Sequence, residues 1–338
     1  MYYPPYSPNF NYEAYNMAWG VKKNLRKTSN AVCWVVVAAL LLMIGIEGFL
    51  CPYYLKAVGY TADYSNPDFN GFTPILYYLT TAAGYVVGLS VPVLLYFAFK
   101  RVSLRNFLPF QKTGFFRTAA CVFFGAAVCM LANIPANIVV AIEKALGFSG
   151  DMPQSPLTDD PAILILYGIV ICVIPPIVEE LLFRGLVLQS LRKYGNGFAI
   201  VGSAMLFGLY HGNFVQMVFA FIAGLVMALV VVRTGSLWTS IVIHFLNNSI
   251  SYALEMVQRY NGDEAMNQAS SVVMLVMIAL GVLSLIWLMI KDKSFFRSEA
   301  PNPGLPFSAK LGALFANPGG VAMIIFALYS SIKILVSY

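Results

Sequence analysis

Read along its length, the chain alternates long apolar stretches with short polar ones. Apolar runs cover 31–50, broken only by Glu47, then about 72–99, 118–142, 162–191, 198–210, 214–232, 236–254, 270–290 and 319–336. At ~1.5 Å per helical residue most of them can cross a hydrocarbon layer ~30 Å thick, while 198–210 is short for that task. Hydrocarbon offers backbone polar groups no water, so such spans close their hydrogen bonds internally as helices. The pattern predicts an all-α, polytopic membrane helix bundle of nine helices. Residues 1–20, rich in Tyr, Pro and Asn, read as a flexible tail. The stretch from Ser294 to Pro318, with Pro301, Pro303 and Pro306, reads as a linker or interfacial loop before the last helix.

Loop charges order these helices. Lys22, Lys23, Arg26 and Lys27 precede the first run, and Lys100, Arg101, Arg105, Lys112 and Arg117 follow the second. Arg192 and Lys193, then Arg233, then Lys291, Lys293, Arg297 and Lys310 follow the fourth, sixth and eighth. The intervening loops are acidic or nearly neutral, with Asp63 and Asp68, Asp151, Asp159 and Asp160, and Asp263 and Glu264. Positive loops favour the cytoplasm, so the expected orientation puts the N-terminus there. Four segments result: a cytoplasmic tail at 1–30, N-terminal helices at 31–160, a core at 161–257 and C-terminal helices with their linker at 258–338.

Against this apolar background a few polar residues stand out. The stretch from Ala162 to Val178 carries no charge and is followed at once by Glu179, Glu180 and Arg184. Ionisable groups at membrane depth are costly and mark functional sites. Glu180 and Arg184, four apart with the acid N-terminal, suit an ion pair on one helix face. Glu179 is turned ~100° away and needs partners from other helices. The two histidines of the chain, His211 and His244, lie in apolar segments too, with Asn248 one turn after His244. Counted from the cationic loops at ~1.5 Å per residue, Glu179 and His211 lie about 20 Å deep, His244 about 12 Å and Asn248 about 18 Å. All four fall in one slab of the membrane. Ala204, Gly208 and Gly212, and then Ala220, Gly224 and Ala228, repeat every four residues and let helices approach closely. Pro175 and Pro176 bend the helix just before Glu179. Asn133 and Asn137 read as packing or cavity-lining groups, and Glu47 as reaching the interface.

Composition supports the membrane reading, with 59% hydrophobic residues, 11% charged residues and a mean hydropathy of +0.74. The five cysteines show no CxxC spacing, which argues for packing residues over a zinc finger or disulfide framework. A net charge of +6 is spread over membrane-flanking loops, so nucleic acid is not an expected partner.

Two chemistries fit this set. Glu179, His211 and His244 match a catalytic zinc site with a fourth position for water. Alternatively, without metal, Glu179 and His211 deprotonate a water while His244 and Asn248 donate to the oxyanion of a tetrahedral intermediate.

Three motifs, Glu179-Glu180 with Arg184, Phe207 with His211, and His244 with Asn248, resemble the EExxxR, FxxxH and HxxxN signatures of the CAAX-type prenyl endopeptidases and bacteriocin-processing or immunity proteins, the CPBP or Abi family. The resemblance covers about residues 160–255. It implies an eight-helix core, with the last helix extra, and intramembrane endopeptidase activity near the cytoplasmic side of the bilayer. Catalysis would rest on Glu179, His211, His244 and Asn248, supported by Glu180 and Arg184. A membrane-embedded, prenylated or bacteriocin-like peptide would be the substrate and a bacterial plasma membrane the expected location. The resemblance leaves open whether zinc is resident. Two other classes share these residues: a proton-coupled transporter, against which stands the lack of an internal repeat, and a non-catalytic immunity or scaffold protein.

Overall fold

The computed structural model describes residues 12–63, 69–149, 155–297 and 304–337, with side chains from residue 17 onward. Residues 1–11, Asp68, Asp151, Pro301 and Pro303 lie outside that range. Within it the chain forms α1 (Tyr12–Gly45), which runs through a π-helical turn at Ile46–Leu50 into α2 (Cys51–Ala57), then α3 (Pro74–Lys100), the single turn α4 (Leu104–Phe107) and α5 (Phe115–Ala145). One bent rod follows, made of α6 (Pro161–Gly168), α7 (Ile174–Glu180) and α8 (Leu188–Arg192), joined by π-helical segments at Ile169–Val173 and Leu181–Val187. The remainder is α9 (Asn196–Tyr210), α10 (Phe214–Thr234), α11 (Leu237–Lys291), α12 (Phe307–Phe315) and α13 (Pro318–Ser337).

Seven of these helical stretches are long and apolar enough to cross a membrane. One of them, α11, is two passes. Gly262 sits inside it at φ 84° and ψ 174°, outside helical space. A Cβ on Gly125 of α5 would meet the Ile243 side chain at 2.5 Å, and Gly281 packs against Ala127, two residues further along α5. A straight helix would hold Ile243 and Gly281 about 57 Å apart. The chain therefore folds back at Gly262, and Asp263 and Glu264 belong to a helical reversal instead of the open loop expected there.

Two other expectations change. Residues 12–30 are helical, not a flexible tail, because they form the first half of α1 and bury Leu25 and Ser29 in the bundle. The proline-rich stretch before the last helix contains α12, whose Ala313 and Leu314 join the apolar core. Pro306 occupies its N-cap position.

Contacts assign the loops to two ends. Arg117 binds Asp292 at 2.7 Å and the Arg233 carbonyl at 3.1 Å. Thr28 meets the Tyr194 hydroxyl at 3.0 Å, and Lys310 donates to the Tyr194 carbonyl at 2.7 Å. These contacts gather cationic segments from across the chain at one end. At the other end Tyr78 bonds the Pro156 carbonyl, and Arg259 pairs with Asp159 at 2.7 Å. The small residues act as the spacing required: a Cβ on Gly224 would stand 3.1 Å from the Ala204 backbone, and one on Gly208 only 2.8 Å from the Met217 carbonyl.

Candidate active site

The local sequence explains how the bent rod presents its carboxylates. In an α-helix the Ile171 carbonyl accepts from the N–H of residue 175, and in a π-helix from that of residue 176. Both are proline and have no N–H to give. The π-helical turn at Ile169–Val173 absorbs the mismatch. The orphaned Ile171 carbonyl is taken by the side-chain amide of Asn248 at 2.8 Å, and Asn248 Oδ1 accepts from Asn247 Nδ2 at 3.2 Å. Asn248 is thus aimed by a carbonyl that the two prolines release. Its Nδ2 keeps a second proton.

The second π-helical segment repeats the device. Leu188 N–H bonds the Phe183 carbonyl, five residues back, so the Arg184 carbonyl loses its helical donor. Gln189 Nε2 supplies one at 3.0 Å. On this segment Glu180 and Arg184 are both completely buried, 2.7 Å apart. The guanidinium carbon stacks 4.2 Å above the ring of Phe207. Phe207, named in the sequence only as the first position of a motif, takes a packing role here: its ring also meets His211 edge-on at 4.9 Å and His244 at 6.0 Å, wedging the three charged or titratable groups together. Its position four residues before His211 was the available signal.

The histidines are oriented by what their Nδ1 atoms reach. His211, which closes α9, has Nδ1 2.8 Å from the Phe207 carbonyl. A carbonyl only accepts, so Nδ1 carries the proton and Nε2 is the bare, proton-accepting nitrogen of the neutral ring. His244, on α11, has Nδ1 3.2 Å from Glu180 Oε1 and Nε2 3.9 Å from Glu179 Oε2. Its ring is therefore held between the two carboxylates. The chain leaves His211 through Gly212 at φ +57°, a conformation that suits glycine, and Asn213 Oδ1 caps α10 by accepting from Gln216 N–H at 3.0 Å.

Glu179, His211, His244 and Asn248 line one cavity of about 540 Å³. Glu180 and Arg184 lie behind it. Asn133 and Asn137 are on its wall, together with Tyr77, Tyr85 and Gln216, which periodicity did not single out. Glu47 does not reach outward as expected, because its carboxyl packs onto Gly84 with Oε1 buried and unbonded. The cavity floor, at Glu179, His244 and Met227, is nearer the cationic end. The walls rise through Tyr77, Tyr78, Ser155 and Ser251 toward the other end. α9 and α10 meet at His211 to Asn213, beside Ser330 midway along α13, so their connection lies within the depth of the bundle.

The zinc reading requires three donors around one point. Among the described residues no three His, Cys, Asp or Glu side chains gather in that way. Glu179 and His244 approach each other, whereas His211 is tied back to its own helix. The set fits zinc poorly.

Residues 161–250 match the family model described as type II CAAX prenyl endopeptidase Rce1-like. No curated protein and no solved structure matches the chain.

Proposed function

From the premise that residues 161–250 carry an Rce1-like type II CAAX prenyl endopeptidase domain in a polytopic membrane bundle, we propose that this chain is an intramembrane endopeptidase of the glutamate type. The observation that carries the reading is the shared cavity wall of Glu179, His211, His244 and Asn248. A water held between Glu179 and the bare Nε2 of His211 gives its proton to the Glu179 carboxylate as its oxygen attacks the scissile carbonyl carbon. The oxyanion that forms is met by the free amide proton of Asn248 and, when the ring is protonated, by Nε2–H of His244. Glu179 then passes its proton to the leaving nitrogen as the C–N bond breaks. Glu180 and Arg184 act at one remove: Glu180 fixes the His244 tautomer, and Arg184 balances the Glu180 charge.

The cavity lining reaches from Glu179 and His244 to Tyr78 and Ser155, which supports access by a membrane-anchored peptide from the end away from the cationic loops. With those loops in the cytoplasm and the N-terminus beside them, the peptide bond is cut at the cavity floor, toward the cytoplasmic side. The chemistry is tested with purified protein in liposomes and a membrane-anchored peptide. Glu179→Gln lowers turnover by about 10²–10⁴-fold, the usual share of a general base, with peptide binding retained, and elemental analysis of the active wild type finds no stoichiometric zinc. Undiminished cleavage by the variant would refute the role of Glu179. Stoichiometric zinc lost in His211→Ala would replace this mechanism with the metal one.

A further inference from the structure

A second cavity, of about 630 Å³, lies at the cationic end and plays no part in the chemistry above. Lysines from four separate elements line it: Lys27 on α1, Lys100 at the end of α3, Lys193 just after α8 and Lys310 on α12. No acidic side chain is among the described residues that line it. Lys310 is only 8% exposed, and its ammonium donates to a neutral acceptor, the Tyr194 carbonyl, at 2.7 Å. Holding the Lys310 cation buried against a neutral acceptor alone is unfavourable unless an anion joins it. Two of the ammonium groups already rest on aromatic faces, Lys100 on Tyr96 and Lys193 on Tyr194.

The cavity does not end at its charged walls. Tyr96 and Lys100 also line an apolar groove of about 430 Å³ that runs between α1 and α3 past Trp34, Ala38, Leu42 and Leu95. Trp34, Leu95 and Phe99 are exposed along it, on the lipid-facing side of the bundle. A lysine-lined chamber at the cationic end therefore adjoins an apolar groove, with Tyr96 and Lys100 common to both. We propose that this composite site binds an anionic glycerophospholipid, with the headgroup phosphate among Lys27, Lys100, Lys193 and Lys310 and an acyl chain in the α1–α3 groove. A soluble phosphate ester would satisfy the lysines but leave the groove unused. The site is independent of the catalytic reading, since it shares no lining residue with the active-site cavity.

The test uses the full chain in neutral detergent. Binding is read by native mass spectrometry and by the lipid-induced rise in melting temperature, with phosphatidylglycerol, phosphatidylcholine of the same chains, and glycerol phosphate as probes. Phosphatidylglycerol is retained and stabilises, while phosphatidylcholine does neither. Lys27→Gln with Lys100→Gln, both at exposed positions, weakens phosphatidylglycerol binding by about fivefold per lysine, as expected for cations at an anionic membrane surface. Ala38→Trp fills the groove without changing a charge and weakens lipid binding, leaving any glycerol phosphate binding as it was. Leu95→Trp serves the same purpose should Ala38→Trp fail to fold. Equal binding of the two lipids, or no loss in the double lysine variant, would overturn the proposal. So would glycerol phosphate binding as tightly as the lipid with both tryptophan variants silent, which would make this a soluble-anion site.

Discussion

At the scale of single residues, the site depends on a buried ion pair that does not itself touch the water. Glu180 accepts from Arg184 and from His244 on the same oxygen, Oε1, and both members of the pair are sealed from solvent. Removing one member leaves an uncompensated charge in a low-dielectric interior, which costs about 3–5 kcal/mol. Arg184→Leu is therefore expected to lower stability by that amount in a denaturant titration in detergent. Adding Glu180→Gln should recover part of the loss without restoring cleavage, because the His244 ring then has no anion to hold its Nδ1–H. A single variant as stable as wild type would show that the pair does not hold the site together. Spacing alone made Glu180 and Arg184 legible as a pair. It could not show that Phe207 stacks on the guanidinium, since that contact joins α9 to the π-helical segment across the bundle.

At the scale of elements, the two prolines act through the bond they cannot make. Pro175 and Pro176 release the Ile171 carbonyl, and that carbonyl positions Asn248 on α11. Restoring the donor with Pro175→Ala gives Ile171 a helical partner that competes with Asn248. Turnover should fall, by up to about 100-fold if an oxyanion donor is misplaced, while thermal stability holds or rises as the helix regularises. The measurement is kcat beside melting temperature in the same preparation, and unchanged kcat would separate Asn248 from the chemistry. Sequence reading anticipated a bend at these prolines. The recipient of the freed carbonyl could not be named, because α11 lies far along the chain and its approach depends on how α5, α10 and α11 pack.

At the scale of the whole molecule, charge gathers at one end of the bundle and makes its sidedness testable. Cationic segments from five stretches of chain meet at one end, and the lining of the candidate cavity extends toward the other, to Tyr78 and Ser155. In a cysteine-free background, a cysteine at Ser155 is expected to react with a membrane-impermeant maleimide in intact cells, whereas one at Lys112 reacts only after permeabilisation. The reverse pattern would place the cavity mouth in the cytoplasm. The sequence by itself determined the membrane class, the helical spans, the alternation of their loops and the identity of the polar motifs. Each of these follows from local hydropathy, or from charges and spacings within one or two turns. The structure alone decided the reversal at Gly262, the helical state of residues 12–30, and the packing that brings Glu179, His211, His244 and Asn248 to one cavity wall. Those features depend on distances between helices, which side-chain volumes such as those meeting at Gly125, Gly224 and Gly281 set jointly and no single segment encodes.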